Sequence, residues 1–269
     1  MILCTIGPTV PQRTDETTVR KQLTIRQLTQ IRKILHRRSD LSTFIVHLTR
    51  GRGDNYSAQD ALVDIARSRR LEARTPMGWA AAQDDPSDPL KQTQRVVCFS
   101  ETPLEHINLM CGEIEGRQIA MAPYGIALTK MKARKAGINP VWYVDMTPGH
   151  DWVLSPTLDG MRNAAVAQAQ AENENFHDYG LAKIFPFFEQ MGTWPNRQKE
   201  FWWEREWRHV GDFTLPHRGM FWLCPEDEID AINARAGYDL EPWVDPRWGL
   251  EEIIAHLAGI DLTDVSPFA

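Results

Sequence analysis

Two acidic residues, Glu204 and Glu206, stand two positions apart in the aromatic stretch 201–210. Aromatic and β-branched residues favour strands, in which alternate residues face the same way, so we predict that both carboxylates share one face of a strand. Two unpaired buried carboxylates are unfavourable because they lose their hydration. The stretch therefore indicates one of two arrangements. Either the acids line a cleft, where they could stabilise positive charge or act as general bases, or they are paired with Arg205, Arg208 or arginines elsewhere.

A histidine and a threonine stand in a short apolar stretch far upstream, at residues 44–49. The composition of this stretch predicts a strand, on which His47 and Thr49 point the same way. A single histidine on an apolar strand is more often a hydrogen-bonded core residue than a ligand or a catalyst. A His-x-Thr strand followed by a Glu-x-Glu strand is a less common combination, so we interpret His47 and Thr49 as candidate site residues.

The composition is that of a globular protein, with 269 residues, 42% hydrophobic and 25% charged, and a net charge of -6. This charge gives no general attraction to nucleic acid, so any such contact needs a local basic patch. The four cysteines lie far apart without a C-x-x-C pair, which argues against structural zinc and a disulfide framework and predicts reduced thiols in a cytoplasmic protein. We see neither a secretion signal nor an apolar run of about 20 residues, and therefore expect no membrane span.

The order of elements predicts an α+β fold built as one large domain with an extension at each end. Residues 1–40 are expected to form an arm and, at 18–38, a basic amphipathic helix. Residues 41–225 form the core in this interpretation, and residues 226–269 form a helical extension packed on it. The charged face of the helix at 18–38 is more typical of a solvated surface than of a phosphate-binding one.

Within the core and the C-terminal extension, apolar and aromatic runs predict strands, and 3.6-residue periodicity predicts helices. The predicted strands are 44–49, 71–73, 95–100, 123–128, 140–144, 201–210 and 220–224. The predicted helices are 57–70, 130–136, 157–191, 226–236 and 250–257. A further helix start is predicted at Thr102, where Glu105 would complete a capping box. The polar stretches 74–94 and 192–199 are predicted to be loops, and the length of the first suggests a functional role.

Five short motifs in this order resemble a known family: residues 47–49, 70–73, 97–104, 124–126 and 204–208. Their layout resembles that of AbiGi-type abortive-infection proteins, which is in turn similar to that of DarT-type ADP-ribosyltransferase toxins. The similarity covers residues 44–224. It implies a split-sheet ADP-ribosyltransferase-like fold with peripheral helices, NAD as co-substrate in a cleft between two sheets, and no metal.

The resemblance also implies roles for individual residues. Glu206 would be the catalytic carboxylate, with Glu204 as the second acid, and His47 would hydrogen-bond the ribose or the nicotinamide amide of NAD. Thr49 would help to hold the nicotinamide end. The middle position of the catalytic set is open between Ser100 and Tyr124, both counted here as cofactor-binding candidates.

An aromatic and basic neighbourhood around the acidic pair suggests single-stranded DNA or RNA as the acceptor, because such surfaces stack unpaired bases and contact phosphates. The candidate substrate-binding residues are Trp194, Arg197, Lys199 and Trp203. The competing interpretation is that these tryptophans belong to the core and the charges to its solvated rim.

Two other classes of protein fit the same sequence. One is a non-catalytic antitoxin or sensor in an abortive-infection pair, which would have a cognate protein partner. The other is a metal-dependent nuclease or hydrolase using Glu204, Glu206 and His209. Strand alternation places His209 opposite the two acids, which weakens the second. A dinucleotide-binding oxidoreductase is disfavoured because no G-x-G-x-x-G follows a strand.

Overall fold

The structure, a computed structural model, describes residues 41–53, 55–81, 93–115, 117, 119–149, 154–172 and 180–260. The chain forms two compact units, Met1–Leu41 and Ser42–Ala269. The predicted arm and the amphipathic helix at 18–38 belong to the first unit and lie outside the described residues. In the part of the chain that is described, no helix is long and apolar enough to cross a membrane.

The strands of the described part of the chain form three sheets. In chain order they are β1 (Phe44–Leu48), β2 (Arg70–Leu71), β3 (Thr75–Pro76), β4 (Arg95–Ser100), β5 (Gly125–Thr129), β6 (Asn139–Pro140), β7 (Trp142–Asp145), β8 (Phe188–Trp194), β9 (Arg197–Lys199), β10 (Glu206–Val210), β11 (Phe213–Thr214), β12 (Met220–Leu223) and β13 (Trp243–Val244). The main sheet has the order β13-β12-β5-β1-β4-β10-β6, and β3 also pairs with β4. Two small sheets contain β11-β2 and β7-β8-β9.

Within the described residues, five α-helices accompany the sheets: α1 (Ala58–Ser68), α2 (Lys130–Lys135), α3 (Leu154–Glu172), α4 (Ile229–Ala236) and α5 (Leu250–Ala258). Ser57 caps α1 through a capping box with Asp60, which satisfies backbone N–H groups that the first turn leaves unpaired. A 3-10 helix, Leu104–Met110, follows β4. The mixture of sheets and helices confirms the α+β fold class.

Both faces of the main sheet are buried. One face packs against α1 and α4 in a core that includes Ile45, Leu62, Phe99 and Trp222. The other face contributes to a smaller core that includes Phe221 and extends to the 3-10 helix and α5. Strands buried on both sides read as continuous apolar runs, which explains why β4, β5 and β12 were readable from the sequence.

Several predicted elements were wrong in part. The stretch 201–210 is not one strand: Trp202–Glu204 is a 3-10 turn and Arg205 adopts a left-handed conformation, with φ 47°. Strand β10 begins only at Glu206. The carbonyl of Arg205 accepts a backbone hydrogen bond of 3.1 Å from Glu101, and this tertiary contact holds a turn that local propensity does not predict. Glu204 and Glu206 therefore do not share a strand face.

Two further corrections concern residues 157–199, and one concerns Thr102. The predicted long helix ends at Glu172, and the described residues 180–191 contain 3-10 turns and the start of β8. Pro186 lacks the N–H of a helical residue, and the aromatic residues around it favour a strand. The predicted loop 192–199 is instead a hairpin of β8 and β9 around Pro195 and Asn196. The predicted capping box at Thr102 is absent, because the helix there is 3-10 and starts after Pro103 without a side-chain cap.

Candidate active site

A small cavity lies where β1, β4 and β10 run side by side. Its volume is about 90 Å³. Four of the predicted site residues line it: His47, Ser100, Glu204 and Glu206. The strand register explains why these residues lie close together. Glu206 of β10 is paired with Ser100 of β4, and Ser100 is paired with Val46 of β1. The cavity wall also includes Cys98, Thr102, Met110, Arg117 and Met121.

Glu206 is held in a buried ion-pair network. Arg208, two residues later on the same strand face, is fully buried and donates from Nε and Nη2 to the two oxygens of Glu206, each at 2.8 Å. Arg208 also donates to Glu189 Oε2 at 2.6 Å and to the Pro186 carbonyl at 2.6 Å. Lys199 completes the network by binding Glu189 at 2.5 Å. Both carboxylates are therefore neutralised by cations within hydrogen-bond distance.

Glu204 is in a different electrostatic position. It lies mostly buried at the cavity wall, and its nearest cation is Arg117, with Nε 3.4 Å from Oε1. Burial raises the pKa of Glu204, Arg117 and Arg208 oppose this, and the neighbouring Glu206 charge adds to the rise. Glu204 is thus the carboxylate of the pair that accepts a proton more readily than an ordinary glutamate.

The surroundings of His47 favour its neutral form. Its Nδ1 lies 2.8 Å from the Cys98 carbonyl oxygen, and because a carbonyl only accepts, Nδ1 carries the hydrogen and Nε2 keeps its lone pair. Burial lowers the pKa of His47, the hydrogen bond to Cys98 partly opposes this, and Arg74 lowers it further. His47 can therefore accept a hydrogen bond through Nε2 and has the character of a structural or positioning group.

Two predicted cofactor-binding residues lie outside the cavity lining. The hydroxyl of Thr49 donates to the Ala58 carbonyl at 2.9 Å and lies 3.2 Å from the Tyr124 carbonyl, so it ties β1 to the start of α1. The hydroxyl of Tyr124 lies 2.8 Å from both carboxylate oxygens of Glu228. Burial, together with this acid, raises the pKa of Tyr124 to about 12. Both side chains have protein partners in the structure.

The predicted substrate-binding residues are divided between a hairpin and the turn before β10. Arg197 lies over the ring of Trp194, with its guanidinium carbon 4.4 Å from the ring centre, at the hairpin of β8 and β9. Lys199 belongs to the ion-pair network. Trp203 is partly exposed, and its indole nitrogen donates to the Glu200 carbonyl at 2.9 Å. None of the four lines the cavity.

Sequence reasoning missed Glu101, which is almost fully buried and accepts bonds from three elements. Its partners are Lys130 at 2.6 Å, Arg205 at 3.0 Å and the indole nitrogen of Trp207 at 3.1 Å. Glu189 and Arg117 were also missed. The partners of all three residues are distant in sequence, and no local spacing indicates such pairs.

The geometry does not assemble the predicted nuclease site. His209 belongs to a groove that contains neither Glu204 nor Glu206. Among the described residues, no group of three or more histidine, cysteine or acidic side chains is arranged to hold a metal ion. The three described cysteines, Cys98, Cys111 and Cys224, are free thiols.

The fold and the cavity define an α+β protein whose main sheet carries a cluster of acids, one of them neutralised by a buried arginine. The family model described as "Putative abortive phage resistance protein AbiGi, antitoxin" matches residues 87–221, just over half of the chain. The chain belongs to the AbiGi family, whose role is in abortive phage resistance. The match contains β4, β5 and β10 but not β1 with His47. No curated protein and no solved structure matches the chain.

The buried groups predict a pH dependence of stability. The pKa of His47 is lowered from 6.5 by burial, so the unfolded chain binds a proton that the folded one resists, and stability is lost as pH falls below about 6.5. The pKa of Glu189 is also lowered from 4.5: burial opposes the change, but Arg208 and Lys199 outweigh it. A second loss is therefore expected below about pH 4.5.

The urea midpoint measured between pH 8 and pH 4 checks this expectation, with a His47→Asn variant as the control. Asparagine keeps a donor for the Cys98 carbonyl but does not titrate, so the loss between pH 7 and pH 5 should shrink in the variant. Equal pH dependence of the two proteins in that interval would contradict the role given to His47.

Proposed function

We propose that this protein is a non-catalytic antitoxin, which neutralises a cognate protein toxin of an abortive-infection pair. The observation that carries the proposal is the engagement of Glu206 by Arg208. Both oxygens of Glu206 accept hydrogen bonds from one fully buried guanidinium. A carboxylate in that position is one partner of a structural ion pair, and its charge is already balanced by Arg208.

The size of the cavity supports the same conclusion. Sites for small molecules usually have about 300 to 1,000 Å³, whereas this cavity has about 90 Å³. A cavity of that size is small for the nicotinamide and ribose of NAD. Thr49 and Tyr124, expected to contact NAD, are hydrogen-bonded to protein groups elsewhere. The description of the AbiGi family as an antitoxin family agrees with a protein partner.

The proposal predicts that the cavity acids are dispensable for neutralisation. Cells expressing the cognate toxin together with the wild-type chain or with its Glu204→Gln variant should grow equally well, because Glu204 performs no chemistry. Colony counts under toxin induction measure this. Glu206→Gln is less informative, because it removes one partner from the buried pair with Arg208 and is expected to destabilise the fold. Glu204→Gln is the cleaner variant, since Glu204 has a single weak ion pair at 3.4 Å. A stably folded Glu204→Gln protein that fails to protect cells would refute the non-catalytic function.

A second candidate function is an NAD-dependent ADP-ribosyltransferase toxin with a split-sheet fold, which would transfer ADP-ribose to single-stranded DNA or RNA. One specific observation favours it: His47, Ser100, Glu204 and Glu206, which come from three separate parts of the sequence, line a single cavity. Activity would require Glu206 to exchange its bonds with Arg208 for contacts with substrate, and the cavity to widen.

Incubation of the purified chain with labelled NAD and single-stranded DNA, duplex DNA, RNA or cell lysate tests the second candidate. Transfer of label by the wild type, its loss in Glu206→Ala and Glu204→Gln, and its retention in Glu241→Ala would establish the transferase. Glu241 is an exposed carboxylate that does not line the cavity, which makes it the matched control. Absence of transfer to every acceptor would leave the antitoxin function.

A further inference from the structure

A large open groove lies at the end of β4 and β10, and its lining does not include the acidic pair. Its volume is about 900 Å³. Four permanently charged cations line it, together with one histidine and two carboxylates: Arg70, Arg74, Arg95, Lys183, His209, Glu72 and Asp212. The groove is therefore positively charged in a chain whose net charge is -6.

Both carboxylates of the groove are already occupied. Asp212 forms an ion pair with Arg70 and accepts the backbone N–H of Ala73 at 2.6 Å. Glu72 binds Arg74 at 2.7 Å. These contacts leave neither acid free to neutralise a third cation.

Arg95 and Lys183 are the cations that remain. Both are exposed, and among the described residues neither has an ion-pair partner. They come from separate elements, the start of β4 and a 3-10 turn at Gly180–Lys183. Two unneutralised cations supplied to one groove by separate elements form an electrostatic feature that favours an anion.

The remaining lining fits a nucleotide better than a simple anion. Phe187 supplies an aromatic side chain to the groove, and Asn139 donates to the Gly137 carbonyl at 2.9 Å, which leaves its own amide oxygen as an acceptor. Aromatic rings stack on bases, and arginine and lysine bind phosphate. A volume of about 900 Å³ is in the range of sites for ligands of nucleotide size.

We propose that this groove binds the phosphate groups of a nucleotide, either as a free nucleotide or as part of a single-stranded nucleic acid. Arg95 and Lys183 provide the main phosphate contacts. Arg70 and Arg74 add positive charge beside their carboxylate partners, and Phe187 lies against the base. Trp194, Arg197, Lys199 and Trp203 are not part of this lining, so the groove differs from the acceptor surface predicted from the sequence.

The test measures binding of the full chain to adenosine diphosphate by calorimetry. It also measures, by fluorescence anisotropy, binding to labelled oligo-dT and oligo-U of about 12 nucleotides, a length that spans a single-strand site. An Arg95→Gln, Lys183→Gln double variant should bind the probe about tenfold more weakly at low salt. For an oligonucleotide, the negative slope of log K against log salt concentration should become shallower by about 1.4, because two phosphate contacts are lost.

The matched control is an Arg50→Gln, Arg218→Gln double variant, which removes the same charge from two exposed positions outside the groove. It should bind like the wild type. If adenosine diphosphate binds with an affinity comparable with that of the oligonucleotides, the ligand is a free nucleotide. If only the oligonucleotides bind, the ligand is a nucleic acid. The proposal would be overturned if none of the probes bound the wild type, or if both double variants weakened binding equally. Toxin neutralisation is a separate readout, so failure here leaves the antitoxin function standing.

Discussion

Replacement of Arg208 by methionine is expected to destabilise the protein by about 3 to 5 kcal/mol, the usual cost of removing one partner from a buried ion pair. The guanidinium is fully buried and binds Glu206, Glu189 and the Pro186 carbonyl. Without it, Glu206 remains as a buried carboxylate with no cation beside it. Urea unfolding followed by circular dichroism measures the change in the free energy of unfolding.

Arg205→Met provides the comparison for this prediction. Arg205 binds Glu101 at 3.0 Å, but its side chain is 38% exposed, and Glu101 keeps Lys130 at 2.6 Å. A partly exposed pair of this kind contributes about 1 kcal/mol or less. Equal destabilisation by the two substitutions would mean that the buried ion pairs of Arg208 contribute no more to stability than the partly exposed pair of Arg205. Addition of Glu206→Met to Arg208→Met should recover part of the loss, because no unpaired acid then remains at that position.

Gly125→Ala should also have a large effect, about 3 kcal/mol, at the upper end of what overpacking costs. A Cβ at this position would lie 2.0 Å from the carbonyl oxygen of His47 and 3.0 Å from the Cα of Leu48. Both atoms belong to the backbone of β1, so no side chain can move aside. The substitution must separate β5 from β1, where Gly125 is paired with Leu48.

Gly160→Ala is the matched control for Gly125→Ala. Gly160 lies inside α3, where an added Cβ meets no atom within 4 Å. Alanine there should stabilise the protein by about 0.5 to 1 kcal/mol, because glycine is unfavourable inside a helix. Thermal unfolding distinguishes the two substitutions, which should shift the melting temperature in opposite directions. A Gly125→Ala protein as stable as the wild type would show that β1 and β5 tolerate a wider separation.

The sequence predicted those elements that have a clear hydrophobic pattern or a residue that marks their end. The helix α2 ends before Gly137, which has a φ of 82°, and glycine is the residue that such a conformation favours. The buried strands β4 and β12 appeared as uninterrupted apolar runs. Residues 201–205 were mispredicted because their conformation depends on Glu101, about a hundred residues away, and local propensity carries no information about that contact.

The sequence predicted several residues of the candidate site, but it did not predict the ion-pair network that surrounds Glu206. Pairing of Glu206 with Arg208 was one of the two arrangements that the sequence allowed, and strand alternation places the two side chains on one face. The sequence could not identify Glu189 as the third member, since β8 was predicted to be helix and loop. It also gave no sign of the groove, whose cations come from positions between 70 and 183 that only the folded chain brings together.

The outer strands of the main sheet limit how a partner can bind. The two ends of the sheet are β13 and β6, each two residues long, and β6 contains Pro140, which has no N–H to donate. Short edges and edge prolines prevent a foreign strand from extending a sheet. These edges therefore offer a peptide or a toxin strand little backbone for β-augmentation. Partners at these edges must be recognised through side chains, and the same short edges protect the protein from edge-to-edge aggregation.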